Sequence, residues 1–106
     1  MTQQKFEAIV SQQLETCRNL LVSKGKEYSL TDDRLIAFKK AASLQGETME
    51  QALCGMLAKH VVSVYDMCMS GDYFPIDRWT EKITDSINYL LLLMAAIQEE
   101  DYGETN

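Results

Sequence analysis

A chain of 106 residues, 46% hydrophobic and 25% charged, has the length and balance for one globular domain with a core of its own. Its net charge is −6 and its lysines and arginines are scattered between acids, which excludes coating of DNA or RNA through a basic surface. A small anion held by a few chosen cations is compatible with that balance.

The longest near-apolar run, Tyr89 to Ile97, has about half the length of a membrane span. Met1-Thr2-Gln3-Gln4-Lys5 has no apolar signal core, so the expected location is cytoplasmic, and the partners exclude a membrane. Cys17, Cys54 and Cys68 lack CxxC spacing and fall at or near apolar helical positions, as reduced thiols do. With one histidine and no paired cysteines, zinc is not expected.

In chain order, Phe6, Ile9, Val10, Leu14, Cys17, Leu20 and Leu21 recur at three and four residues and predict a first helix over 3–24. Gly25 is the expected stop, with Lys24 in the last turn where a cation suits the helix dipole. Ser29 or Thr31 then caps a short second helix over 32–44, whose buried side is Leu35, Phe38, Ala42 and Ala41 and whose stop is Gly46. Thr48 and Gln51 form a capping box that opens a third helix over 49–70. Its stripe is Ala52, Leu53, Met56, Leu57, His60, Val61, Val64 and Met67 or Cys68; Gly55 within it suggests close approach of a neighbouring helix. Past Ser70-Gly71-Asp72 and a loop holding Pro75, Asp77 caps a fourth helix over 78–100, with Trp79, Ile83, Ile87, Leu90, Leu91 and Met94 facing inward and 101–106 frayed. The fold class is therefore all-α, a single domain built as a compact bundle of four helices. Leu92, Leu93 and Ile97 exceed what so small a bundle can cover, and self-association into a homo-oligomer is the natural sink for them.

Chemistry-bearing residues fall in four groups: Lys24, Lys26, Glu27 and Tyr28; Asp32, Asp33 and Arg34; Lys59, His60, Ser63 and Asp66; and Glu81, Lys82, Asp85 and Asn88. Each has a plain structural reading as well. His60 on an apolar stripe suits a satisfied core histidine, Asp32 and Asp33 suit a helix N-terminus, and Glu81 and Asp85 suit surface pairs with Lys82 and Arg78. Tyr28 and Trp79 can stack on a nucleobase or serve as packing lids. Glu81 and Asp85, one turn apart on one face, can hold Mg²⁺ if Asp66, Glu50 or Glu27 joins them, and Mg²⁺ so placed would polarise a phosphate and activate water.

Lys24-Gly25-Lys26-Glu27-Tyr28, Asp32-Asp33-Arg34-Leu35-Ile36-Ala37-Phe38-Lys39, Met56-Leu57-Ala58-Lys59-His60 and Glu81-Lys82-Ile83-Thr84-Asp85-Ser86-Ile87-Asn88-Tyr89-Leu90 together resemble a group of small bacteriophage proteins. Over about residues 20–98 they are similar to the phage nucleotide-modification-associated domain, a distant relative of the MazG-like all-α nucleoside triphosphate pyrophosphohydrolases. MazG-like enzymes hold Mg²⁺ with Glu-x-x-Glu on one helix and Glu-x-x-Asp on the next. Here the spacing is Glu81-x-x-x-Asp85, one residue longer, and helix three offers Lys59, His60 and Asp66 in place of paired acids. The resemblance implies a MazG-like bundle in the host cytoplasm, with Glu81 and Asp85 catalytic and Glu81, Asp85 and Asp66 around Mg²⁺. Glu27, Tyr28, Arg34, Lys59, His60, Lys82, Asn88 and Tyr89 would then bind a nucleotide.

Three functions follow as expectations. One is Mg²⁺-dependent hydrolysis of a nucleoside triphosphate or modified nucleotide. Another is capture of a nucleotide or nucleotide signal without cleavage. The last is a helical interaction module with no small ligand.

Overall fold

The computed structural model describes residues 1–28 and 32–102, with side chains described for 1–24 and 32–100. It holds four helices, α1 (Gln3–Tyr28), α2 (Ile36–Gln45), α3 (Met49–Ser70) and α4 (Ile76–Tyr102), with no strand among the described residues. The all-α expectation is met. Among the described residues no helix is long and apolar enough to cross a membrane.

Where capping chemistry is local and complete, the helix ends fall where the sequence puts them. The Gln51 backbone N–H donates to Thr48 Oγ1 at 3.1 Å and the Thr48 N–H donates to Gln51 Oε1 at 2.9 Å, the reciprocal pair of a capping box. Gly46 (φ 65°) and Gly71 (φ 74°) adopt the left-handed conformation that closes α2 and α3.

Other ends differ. α1 runs through Gly25 to Tyr28, because glycine weakens a helix but stops it only when it takes a left-handed turn. The expected caps Ser29 and Thr31 lie outside the described residues. α2 begins at Ile36, not at 32: Asp33 Oδ1 accepts the Leu35 N–H at 2.9 Å and holds that stretch in a turn ahead of the helix. α4 begins at Ile76, with Pro75 O accepting the Arg78 N–H at 3.0 Å, so Asp77 sits in the first turn and is not the cap. Its C-terminus extends to Tyr102, and 103–106 lie outside the described residues.

α3 and α4 form an antiparallel hairpin; α2 packs on α3, and α1 packs on α4. Leu35, Met49, Leu53 and Ala96 make the buried core, with Phe38, Tyr89, Leu92 and Leu93 packed against it. Between α1 and α4 the link is polar: Gln13 Nε2 donates to the buried Thr84 Oγ1 at 2.7 Å.

The register of α4 corrects the sequence-based expectation. Ile83, Leu90, Leu91 and Met94 are exposed, while Thr84, Asn88 and Ala96 are buried on the ridge that includes half-buried Leu92. That i, i+4 ridge of small and polar side chains admits neighbouring helices closely. The greasier stripe beside it stays exposed. α1 behaves alike, with Phe6, Ile9, Val10 and Leu14 exposed and Cys17 buried. Gly55 meets nothing within 4 Å of an added Cβ, so no helix approaches there.

Lys39 ties the two ends of the bundle's flank. Its Nζ lies 2.7 Å from Asp33 Oδ2, ahead of α2, and 2.6 Å from Glu99 Oε1 near the end of α4. The hydrogen bond from Lys39 holds the Asp33 carboxyl below its ordinary 3.8. The bonds to Asp33 and then Glu99 hold the Lys39 ammonium above its ordinary 10.5. Asp33 therefore adds stability that is whole above pH 3.8 and lost as pH falls through its depressed pKa. Lys39 adds stability that is whole below pH 10.5 and lost as pH rises through its elevated one.

Lys39→Met should lower stability near neutral pH by about 0.5–1 kcal/mol, the scale of a partly exposed ion pair. It should also flatten the fall in urea midpoint between neutral pH and pH 3; an unchanged acid slope would refute the tie. Leu53→Ala, at a side chain with 0% exposure, should cost about 2–5 kcal/mol by the same urea titration.

Candidate functional site

A cavity of about 260 Å³ is lined by residues of all four helices and of the turn before α2. α1 lends Leu20, Leu21 and Lys24; the turn lends Arg34; α2 lends Phe38; α3 lends His60; and α4 lends Asp85, Asn88, Tyr89 and Leu92. Helical spacing accounts for the last group, since positions 85, 88, 89 and 92 fall on one face.

The polar groups are held in place by their neighbours. Arg34 Nη2 donates to Leu21 O at 3.4 Å, which joins the turn before α2 to α1 and takes one of the five guanidinium donors. His60 stacks on Tyr89, with ring centroids 4.9 Å apart and 22° between planes. Phe38 meets Tyr89 edge to face at 6.5 Å. The His60 Nδ1 stands 3.8 Å from Asp85 Oδ2, an ion-pair distance when the imidazole is protonated and too long for a hydrogen bond.

Asn88 is the unusual member. The residue is 5% exposed, and its Oδ1 is buried with no hydrogen-bond partner among the described residues. A buried acceptor left unpaired costs about 1–3 kcal/mol, which a fold keeps only with a reason. A donor carried by a ligand in the cavity would supply that partner.

A second recess of about 510 Å³, lined by Asp32, Asp33, Arg34, Leu35, Leu92, Ala95 and Glu99, shares Arg34 and Leu92 with the first. The guanidinium thus stands between a mostly apolar chamber and an acidic vestibule. Two of the three carboxylates lining that vestibule, Asp33 and Glu99, are engaged by Lys39.

Of the residues singled out from sequence, the fold brings Arg34, His60, Asp85, Asn88 and Tyr89 to one cavity. Lys59 is exposed on α3, and Asp66 is exposed further along the same helix. Glu81 is exposed and its Oε1 lies 3.7 Å from Lys82 Nζ, so these two pair with each other and line no part of the cavity. Glu27 and Tyr28 have side chains outside the described residues. Trp79 packs edge to face on Phe74 at 5.9 Å.

In the sequence Lys24 stands among the chemistry-bearing residues as well as serving as a dipole cation, Phe38 as core and Leu92 as surplus. All three line the cavity, and only the packing of α1 and α2 against the hairpin discloses it.

Asp85 is the one acid among the cavity's described lining residues, and among the described residues no three of His, Cys, Asp and Glu converge closely enough to hold a metal ion. Of Glu81, Asp85 and Asp66, Asp85 lines the cavity, while Glu81 and Asp66 are exposed and are not among its lining residues. What the cavity offers is a pair of cations, an imidazole, an amide and aromatic walls. Groups of these kinds can meet an anion and a flat, hydrogen-bonding moiety. The chain matches no family model, no curated protein and no solved structure.

Replacing Asn88 with Leu removes the unpaired acceptor while keeping volume. Asn88→Leu should therefore raise the melting temperature of the ligand-free protein. A lowered melting temperature would assign Asn88 a structural hydrogen bond instead.

Proposed function

We propose that this chain is a nucleotide-binding protein of the phage, MazG-like all-α type that acts as a homo-oligomer. The observation that carries the reading is the convergence of Lys24, Arg34 and His60 with the buried, unpartnered Asn88 Oδ1 in one cavity. Arg34 presents a planar fork suited to phosphate oxygens, and Lys24 adds a point charge. Asn88 offers an acceptor to an N–H on a base edge, while Phe38, Leu20 and Leu92 give the base apolar walls. The main volume suits one nucleoside unit; the recess beyond Arg34 leaves room for the rest of the ligand.

Binding is favoured over metal-dependent cleavage because the lining pairs its cations with a single acid. The second reading is the hydrolysis that the MazG resemblance implies, with Mg²⁺ as cofactor. Asp85 favours it, being the member of the expected catalytic pair that lines the cavity. The same groups would orient a triphosphate in either case.

Thermal unfolding against nucleoside mono-, di- and triphosphates and cyclic nucleotides, each in Mg²⁺ and in EDTA, tests the proposal. A ligand that binds the native state must raise the melting temperature by mass action. The expected result is a shift that persists in EDTA, is lost in Arg34→Ala, and survives Glu81→Gln. A shift that needs Mg²⁺ and vanishes in Glu81→Gln would replace binding with the hydrolytic reading. No shift with any nucleotide would overturn both.

A further inference from the structure

Among the described residues, two of the exposed apolar surfaces differ in shape. One is a ridge on the first half of α1: Phe6, Ile9, Val10 and Leu14 continue the stripe that farther along packs Cys17, Leu20 and Leu21 toward α4, yet Phe6 is 51% and Leu14 56% exposed. The other is a groove of about 400 Å³ between α3 and α4, walled by Val61, Val64, Tyr65, Cys68, Ile83 and Leu90. No charged side chain lines that groove, in a chain where 25% of residues are charged. The ridge from Phe6 to Leu14 is about 12 Å long, and the groove floor from Ile83 to Leu90 is about 10 Å, at 1.5 Å of helix rise per residue.

The whole-chain dimensions agree with missing cover. A monomer of 12.1 kDa exposes about 6,000 Å² by the usual size scaling, whereas this chain exposes 7893 Å². The excess is more than twice the roughly 800 Å² that one partner gives to a standard interface. Its radius of gyration, 16.0 Å, likewise exceeds the roughly 13 Å of a compact chain of this length.

The geometry points to a second copy of this chain as the occupant, with the α1 ridge of each protomer seated in the α3–α4 groove of the other. Such an exchange is isologous: the contact made by one ridge is repeated by its two-fold mate, and the assembly closes. It covers both open surfaces at once. A foreign helix or a lipid chain in the groove would leave the α1 ridge wet. This inference assigns the surface for the self-association proposed above and does not depend on the ligand: mass reads one, thermal shift the other.

Light scattering after size exclusion, over a wide range of protein concentration, should give twice the 12.1 kDa chain mass. Val10→Glu on the ridge and Val61→Glu in the groove, both at exposed positions, should each halve that mass while the far-UV helix signal is kept. Cross-linking provides a measurement that does not rely on those variants. With Cys54 replaced by Ser, Val10→Cys and the native Cys68 should be joined between chains by a short bismaleimide, and adding Cys68→Ser should abolish the covalent dimer. A monomeric mass at every concentration overturns the proposal. So does a dimer that neither Glu variant dissociates, or a monomer that binds anionic phospholipid vesicles through the groove.

Discussion

Helix α4 packs against α1 and α3 with a face that carries two buried polar side chains, and the rest of the molecule is arranged around meeting that demand. Thr84 is satisfied by Gln13, whose amide reaches across from α1 at 2.7 Å. That bond sets where α1 crosses α4, and so which α1 residues reach the hollow beside Asn88. One turn farther on, Asn88 has no such donor for its Oδ1 among the described residues. A buried acceptor left in that state costs about 1–3 kcal/mol.

The cavity follows from the same geometry. With α1 held at Thr84, its later turns bring Leu20, Leu21 and Lys24 alongside Asp85, Asn88 and Leu92. The turn before α2 is kept out of helix by Asp33 and joined to α1 through Arg34. The guanidinium therefore sits at the mouth between chamber and vestibule because a local Asx turn delays the start of α2. Lys39 steadies that turn against the far end of α4, so the cation that would meet a phosphate rests on a bridged support. Electrostatics inside the cavity are mixed: Asp85 faces His60, while Lys24 and Arg34 belong to other elements. A net charge of −6 on the whole chain coexists with this small cationic site because the acids are mostly elsewhere on the surface.

The price of using the polar ridge inward is that the richer apolar stripes of α1 and α4 point outward. A small helical domain has little interior to give, and three helical faces cannot all be buried in a layout where α2 touches α3 and α1 touches α4. The fold is thus economical with its core and generous with its surface. The cavity and the open apolar groove are lined by different residues of α4, Asp85, Asn88, Tyr89 and Leu92 for the one and Ile83, Ser86, Ile87 and Leu90 for the other.

Much of this architecture is legible in the residues alone. Four helices follow from the 3.6-residue periodicity, and α3 from Thr48 to Gly71 is readable residue by residue because a capping box and a left-handed glycine act through bonds only a few residues apart. The candidate residues Arg34, His60, Asp85, Asn88 and Tyr89 stand out as polar or aromatic groups beside apolar stripes, and they do share one cavity. Glu81, Lys59 and Lys82 stand out equally and face away from it, since spacing along a helix names a face but not the neighbour it meets. Nor can periodicity rank two stripes on one helix: α4 reads as burying Ile83, Leu90 and Met94, whereas it buries Thr84, Asn88 and Ala96. Helix content, the Thr48–Gln51 capping box, the left-handed stops at Gly46 and Gly71 and the absence of a membrane-length apolar run are local properties, so the sequence by itself determined them. Which face of α4 goes inward, and therefore where the cavity opens and which apolar surfaces remain uncovered, depended on how α1 and α3 approach in space. That was decided by tertiary packing, through contacts such as Gln13 to Thr84 between residues far apart in the chain.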